Sequence, residues 1–144
     1  MECISYRGGY KYQLKKTYRT EIEIRPDPSI LSEFVILDHA GLLEIRSGYA
    51  WDGPSGPTID TPSFMRGSLI HDALYQLIRE EHLPETPNRE LADQILRRLC
   101  LEDGMYRVRA WWVYHAVRKF GNPAADPSRK RPITLAPKGC ESEI

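Results

Sequence analysis

A Gly- and Pro-rich stretch at residues 47–63 divides this chain into two halves of different periodicity. The stretch holds three glycines and three prolines, a density that excludes both a helix and a central strand. Before it, apolar and polar residues alternate, whereas after it apolar residues recur every three or four positions. We therefore predict a long structured loop between a strand-rich half and a helical half, and such loops in a compact domain often carry function.

The first half is predicted to form strands because its apolar residues recur with a period of two. In residues 10–15 and 20–25, apolar residues or Thr alternate with Lys, Gln, Glu or Arg, as half-buried strands do. Residues 34–37 and 42–45 are largely apolar and flank a four-residue connection that ends in Gly41. Because glycine accepts a positive φ, this arrangement predicts a β-hairpin.

The second half is predicted to form three helices. Apolar residues at three- and four-residue spacing predict the first helix over residues 64–79. A second helix begins at the Thr86-Pro87 cap and ends at Gly104. A third spans residues 106–120. We expect the two tryptophans and the histidine of this third helix to pack in the core: Trp111, Trp112 and His115.

The fold class that follows is α+β, a small N-terminal antiparallel sheet packed on a C-terminal three-helix unit. One domain is predicted over residues 1–121. It consists of strands mostly in residues 1–50, a functional loop at 51–63 and helices over 64–121. A Pro-rich tail at 122–144 follows. The length of 144 residues is that of a single domain with one core.

Charge and composition exclude several classes of function. Basic and acidic residues number 20 each, so no global field indicates nucleic-acid binding. The three cysteines are too far apart for a disulfide framework or a metal cluster. No stretch reaches the length of a transmembrane segment, and we expect a cytoplasmic protein that acts on a small-molecule or lipid substrate. The sequence does not predict the oligomeric state.

The strongest chemical constellation combines His71 and Asp72 on the first helix with Asp93 on the second. In an antiparallel helix hairpin, His71 and Asp93 differ in height by roughly 2 to 4.5 Å, so their side chains are predicted to meet. A carboxylate that accepts a proton from one imidazole nitrogen raises the basicity of the other, which could deprotonate water. Asp72 points about 100° away and is available for a metal, while Tyr75 shares the face of His71.

The long loop allows two interpretations that its composition does not separate. Its glycines let backbone carbonyls approach a hard cation, and its polar side chains add oxygen atoms: Asp52, Ser55, Thr58 and Asp60. Alternatively, it is a crossover from the sheet to the helices, with Trp51 inserted in the core.

The His-Asp-x-x-Tyr motif at residues 71–75, followed by Ala-Asp at 92–93, resembles the catalytic helix pair of calcium-dependent phospholipases A2. The likeness is greatest to the compact bacterial type and to the domain of parvovirus capsid proteins. Residues 53–57, Gly-Pro-Ser-Gly-Pro, look like the calcium loop of the viral version. The resemblance implies His71 as the base, Asp93 as the carboxylate that orients it and Tyr75 as a supporting phenol. It also implies Asp72, Gly53 and Ser55 as calcium ligands. The N–H of Gly53 would be the donor to the oxyanion.

The chain departs from the phospholipase pattern in two places. The disulfides that tie the helices of those enzymes are missing, as they are in the viral version. Asp52 adds a carboxylate where that loop normally offers backbone, which implies a further metal ligand and an altered site.

Four motifs also resemble a functionally uncharacterised domain family of tailed phages and prophages. They are Trp-Asp-Gly-x-Ser-x-Pro, His-Asp-x-Leu-Tyr, Ala-Asp and Val-Arg-x-Phe-Gly, and they cover residues 45–121. The resemblance implies a phage or prophage gene expressed in the cytoplasm of a bacterial host, without naming an activity.

Three functions remain open. The first is a metal-dependent hydrolase, with calcium the expected ion, in which a His-Asp dyad activates water to cleave an acyl ester. The second is a metal-dependent phosphohydrolase that uses the acidic residues and the histidine as ligands: Asp52, His71, Asp72 and Asp93. The third is a non-catalytic phage accessory or binding protein in which the same residues form a structural hydrogen-bond network.

Overall fold

A computed structural model describes residues 4–6, 12–51, 61–126 and 134–136 and confirms the α+β class. Seven strands precede four helices, and an eighth strand follows them. The strands are β1 (Ile4–Tyr6), β2 (Tyr12–Gln13), β3 (Tyr18–Glu21), β4 (Ile30–Leu31), β5 (Val35–Leu37), β6 (Leu42–Ile45), β7 (Ala50–Trp51) and β8 (Thr134–Ala136). The helices are α1 (Pro62–Arg79), α2 (Glu85–Glu102), α3 (Arg107–Phe120) and α4 (Asn122–Ala125).

The main sheet has four antiparallel strands in the order β3-β6-β5-β4. The predicted hairpin between β5 and β6 is confirmed, with Val35 opposite Ile45. Asp38 Oδ1 accepts the backbone N–H groups of Ala40 and Leu42, both at 2.9 Å, which closes the turn. Gly41 has a φ of 89° there, a conformation that favours glycine. The strands β2 and β7 form one further antiparallel pair, and β1 and β8 another.

The sheet and the first two helices share one hydrophobic core. One face of the sheet contributes Val35, Leu37, Leu43 and Ile45, all at 0% exposure. These residues cluster with the buried stripe of α1 and α2 that the three- and four-residue spacing predicts: Leu69, Ile70, Leu74, Leu77 and Ile95. A smaller cluster joins α1 and α2 to α3. The α1–α2 hairpin therefore packs against the sheet through the larger cluster and against α3 through the smaller one.

The prediction that the aromatic residues of α3 are core residues is wrong. Trp111 is 52% exposed and Trp112 is 43% exposed, and His115 is exposed as well. The helix buries Ala110 and Val113 instead. Small residues let α3 lie close to α2, so the bulky rings are left on the outer side.

Two short elements lie within the range predicted as a tail, since α4 follows α3 directly and β8 pairs with β1. Arg79 of α1 donates to the carbonyl of Ala124 at 2.8 Å, which fixes α4 to the first helix. Among the described residues, no helix is long and apolar enough to cross a membrane.

Candidate functional site

The α1–α2 hairpin brings His71 and Asp93 into direct contact. His71 Nε2 lies 2.7 Å from Asp93 Oδ1, within hydrogen-bond distance. His71 is 7% exposed and Asp93 is fully buried. A buried carboxylate is acceptor only, so the imidazole donates from Nε2 and its other nitrogen, Nδ1, is left without the proton in the neutral form.

Tyr75 belongs to the same cluster, one helical turn after His71. Its hydroxyl donates to Asp93 Oδ1 at 2.5 Å, and its ring centroid lies 4.0 Å from that of His71. Because the two residues are four positions apart, the helix itself sets this stacking. Asp93 Oδ1 therefore accepts from both donors, and the phenol restrains the carboxylate in the orientation that faces the imidazole.

Arg118 of α3 is the member of the site that was not predicted from the sequence. Its Nη1 donates to the second oxygen of Asp93 at 2.9 Å, so Asp93 receives donors from two helices besides its own. The Val-Arg-x-Phe-Gly motif at residues 117–121 contains this arginine and was the available signal, although it assigned no role to it. We refer to His71, Tyr75, Asp93 and Arg118 as the buried quartet.

A second arginine, Arg89, contacts the backbone of α3 beside Arg118. Arg89 Nη2 donates to the backbone carbonyls of Val117 at 3.0 Å and of Arg118 at 2.9 Å. These carbonyls lie in the last turn of α3, where helix carbonyls run short of backbone donors, although that of Val117 also accepts the N–H of Gly121 at 2.8 Å. Gly121, the residue after the helix, packs so close to Tyr75 that an added Cβ would lie 2.8 Å from the phenol oxygen.

The charges of the buried quartet shift the proton affinities of its members. Burial alone lowers the pKa of His71, but the carboxylates of Asp72 and Asp93 outweigh it and the pKa is raised. Burial likewise acts to raise the pKa of Asp93, yet the donors from His71, Tyr75 and Arg118 outweigh it and the pKa is lowered. The donors around Asp93 therefore favour its anionic form, and the two carboxylates favour the protonated form of His71.

Asp72 lies on the more open side of the imidazole. Its Oδ1 is 3.8 Å from His71 Nδ1, too far for a direct hydrogen bond, and its side chain is 31% exposed. The two carboxylates therefore flank the ring from opposite nitrogens, one buried and one accessible.

The loop residues expected to complete the site, Asp52, Gly53 and Ser55, lie outside the described residues. The described chain nevertheless fixes where the loop begins. Trp51, the residue before it, donates from Nε1 to Ser68 Oγ at 3.3 Å, and Ser68 lies one turn before Asp72 on α1. In the part of the chain that the structure describes, no three His, Cys, Asp or Glu side chains form a group that could hold a metal ion.

Comparisons with known proteins give one result. Neither the curated proteins nor the solved structures yield a match to the chain. A family model matches residues 29–117, a range that runs from just before β4 almost to the end of α3. It includes His71, Tyr75 and Asp93 and ends one residue before Arg118. Because the match covers more than half of the sequence, the chain belongs to the family described as "Protein of unknown function (DUF1353)".

Proposed function

We propose that this protein is a metal-dependent hydrolase, with calcium as the ion, that cleaves acyl esters in the manner of phospholipase A2. The observation that carries the proposal is the 2.7 Å contact between His71 Nε2 and Asp93 Oδ1, because it directs the basic Nδ1 toward the accessible carboxylate of Asp72. An imidazole oriented by a buried acid can act as a general base for water, and the exposed acid beside it is a candidate metal ligand.

The proton transfers follow from the geometry of the imidazole. A water molecule hydrogen-bonded to His71 Nδ1 gives up one proton to that nitrogen as its oxygen attacks the ester carbonyl carbon. The imidazolium that forms keeps its Nε2–H on Asp93, whose negative charge stabilises it. When the carbon–oxygen bond to the leaving alcohol breaks, Nδ1 returns the proton to the departing oxygen. Asp93 retains its charge throughout, since its pKa is lowered.

Among the described residues, Asp72 has the chemistry of a ligand for a hard cation. It presents a carboxylate oxygen, the donor type that calcium prefers, and it is partly exposed beside the base. A bound calcium ion would polarise the ester carbonyl and stabilise negative charge on its oxygen. We assign the remaining ligands to Asp52, Gly53 and Ser55, and the oxyanion donor to the N–H of Gly53. The indole of Trp51, the residue before these ligands, donates to Ser68, one turn before Asp72 on α1.

The phosphohydrolase alternative is less well supported by the geometry. It requires His71 and Asp93 as metal ligands, but Asp93 is fully buried and its two oxygens already accept three donors. His71 Nε2 is likewise engaged with Asp93. A metal at either atom would have to displace a charged or phenolic partner within the core, which is costly.

A second candidate is a non-catalytic accessory protein of a phage or prophage, the source that the sequence motifs imply. The observation in its favour is that the buried quartet joins three helices, with Asp93 saturated by donors from α1 and α3. A fully satisfied buried polar network can serve to specify one arrangement of helices. On this account His71 is a packing residue and Nδ1 has no substrate.

Turnover of a fluorogenic short-chain phospholipid, used as a monomer in solution, separates the two candidates. We expect calcium-dependent hydrolysis by the wild type that is lost in His71→Gln and in Asp72→Asn. His39→Gln provides the matched control, because His39 lies in the exposed β5–β6 turn and should leave turnover unchanged. Equal background turnover in the wild type and His71→Gln would reject the hydrolase and favour the accessory protein.

Calcium binding is measured separately from catalysis. We expect calcium to raise the melting temperature of the wild type, since a ligand that binds only the folded state stabilises it. Asp72→Asn should abolish this increase, while His71→Gln should retain it. An increase that persists in Asp72→Asn would place the ion elsewhere.

A further inference from the structure

The outer side of α3 is apolar and has no partner within the described residues. Val108, Trp111, Trp112 and His115 recur at three- and four-residue spacing and so share one side of the helix. Val108 is 80% exposed, and the two tryptophans are 52% and 43% exposed. At the two ends of the helix lie Tyr106, 86% exposed, and Phe120, 70% exposed. We refer to Val108, Trp111, Trp112 and His115 as the α3 face, which Tyr106 and Phe120 flank at its two ends.

The charge of α3 differs from that of the protein as a whole. Over residues 107–120 it carries four basic side chains and no acidic one, whereas the chain as a whole has no net charge. Arg109 and Arg118 are engaged within the protein, with Thr61 Oγ1 and Asp93 respectively. Arg107 and Lys119 are exposed at the two ends of the face, and Lys119 Nζ lies 5.3 Å from the centre of the Phe120 ring.

We propose that the α3 face docks on an anionic membrane surface. Tryptophan and tyrosine favour the boundary between headgroups and acyl chains, where the ring is apolar on one side and polar on the other. A helix with an apolar aromatic side and basic residues lies in the plane of such an interface, and anionic headgroups attract the exposed lysine and arginine. The face combines both features.

A second copy of the chain fits the face less well. In a two-fold dimer the same patch meets itself, so α3 would pack on α3. In a parallel arrangement Arg107 would approach Arg107, and in an antiparallel one it would approach Lys119. Either arrangement brings like charges together while burying the aromatic rings. A membrane carrying negative charge meets the same face with attraction.

The inference goes beyond the proposed function because it concerns the outer side of α3 and requires no chemistry at His71. Should both hold, a lipid aggregate is the physical form of the substrate. Arg118, three residues after His115 on the same helix, belongs to the buried quartet, so α3 carries both the docking surface and a member of the site.

Vesicle flotation tests the proposal. His71→Gln is used as the background, in the presence of a calcium chelator, so that hydrolysis does not interfere. Vesicles are equimolar phosphatidylglycerol and phosphatidylcholine, or phosphatidylcholine alone. We expect binding to the anionic vesicles, with a blue shift of tryptophan fluorescence. We expect Trp111→Ser/Trp112→Ser to bind at least about tenfold more weakly, given the apolar area removed. The remaining Trp51 is buried and reports on folding.

Two further variants complete the design. Leu31→Ser is the matched control, because Leu31 is 75% exposed on β4, and it should bind as the parent does. Arg107→Gln/Lys119→Gln should weaken binding to the anionic vesicles and bring it toward that of phosphatidylcholine alone. Absence of vesicle binding, equal binding by the tryptophan double variant, or a dimer in analytical ultracentrifugation that this variant dissociates would each overturn the proposal. Because catalysis is assayed on a monomeric substrate, failure of docking leaves the hydrolase proposal standing, and the reverse also holds.

Discussion

Within the described residues, two ion clusters that join helices are built in opposite ways. At the surface, the cation Arg66 of α1 is central and binds Asp103 through two nitrogens at 3.0 and 2.8 Å and Glu102 at 3.0 Å. It also donates to the hydroxyl of Tyr18 in β3 at 3.2 Å. In the core, the anion Asp93 is central and the donors surround it. The Arg66 side chain is 30% exposed and that of Asp93 is 0% exposed.

The difference shows what each cluster contributes. Solvent reaches the Arg66 cluster and screens its charges, so it attaches the sheet and α1 to the end of α2 with a smaller contribution to stability than a buried ion pair makes. Water cannot reach Asp93, so each donor there is required and each is held in a fixed orientation. Only the buried arrangement fixes the direction of an imidazole, which is what a catalytic base needs.

The largest effect is expected when the central anion is removed. Asp93→Ala leaves His71, Tyr75 and Arg118 without their acceptor and should lower the free energy of unfolding by about 3–5 kcal/mol, measured by urea denaturation at pH 7. Asp103→Ala at the surface cluster should cost no more than about 1 kcal/mol. If Asp93→Ala does not fold, Asp93→Asn provides the measurement, because it keeps the shape and loses the charge. Equal losses in the two clusters would remove the distinction drawn between them.

Removal of the arginine partner should have the next largest effect. Arg118→Met leaves Asp93 charged and buried with two donors, and should cost about 2–3 kcal/mol, against about 1 kcal/mol or less for Arg66→Met. With the positive charge gone, the imidazolium is favoured, so the pKa of His71 should rise further. An NMR titration of the ring protons measures this, and Arg66→Met should leave it unchanged. A fall in that pKa would contradict the arrangement.

A steric change at the edge of the quartet should have a smaller effect. In Gly121→Ala the new Cβ would meet the Val117 carbonyl oxygen at 2.5 Å and the Tyr75 hydroxyl at 2.8 Å. The resulting shift of α3 should cost about 1–2 kcal/mol. Gly67→Ala is the control, since its Cβ would meet the ends of side chains, Leu96 Cδ1 at 3.0 Å and Cys100 Sγ at 3.1 Å. The crowding at residue 67 is offset by a helix-propensity gain of about 1 kcal/mol. A larger loss of stability in Gly67→Ala than in Gly121→Ala would contradict this account.

The smallest effect is a dependence of stability on pH. Because the pKa of His71 is raised, its stabilisation is fully present below the unfolded value of about 6.5 and is lost as the pH rises through the folded value. Between the unfolded and the folded pKa of His71, the wild type should therefore lose stability as the pH rises, with a slope of at most about 1.4 kcal/mol per pH unit. Urea denaturation of His71→Gln should show no such slope, and His39→Gln should retain it. For Asp93 the sign is opposite, since its pKa is lowered and its contribution is lost as the pH falls.

Short-range periodicity accounts for what could be predicted from the sequence. The 3.6-residue spacing located α1 and α2 and placed His71 opposite Asp93, because an antiparallel hairpin leaves little freedom in height. The same periodicity did not show which side of α3 is buried, since Ala110 and Val113 face inward while the larger Trp111 and Trp112 face outward. Arg118 was not assigned because its partner lies on another helix, at a separation that no local spacing encodes. The catalytic and metal roles remain predictions.

Because Arg118 lies on a third helix, the α1–α2 hairpin alone does not carry every partner of the His71–Asp93 pair. A fragment that ended after α2, or a graft of the α1–α2 hairpin onto another scaffold, would transfer a buried carboxylate without its guanidinium. The clamp of Arg89 on the last carbonyls of α3 would then have no target either. Any unit meant to reproduce the site must therefore include all three helices through Gly121.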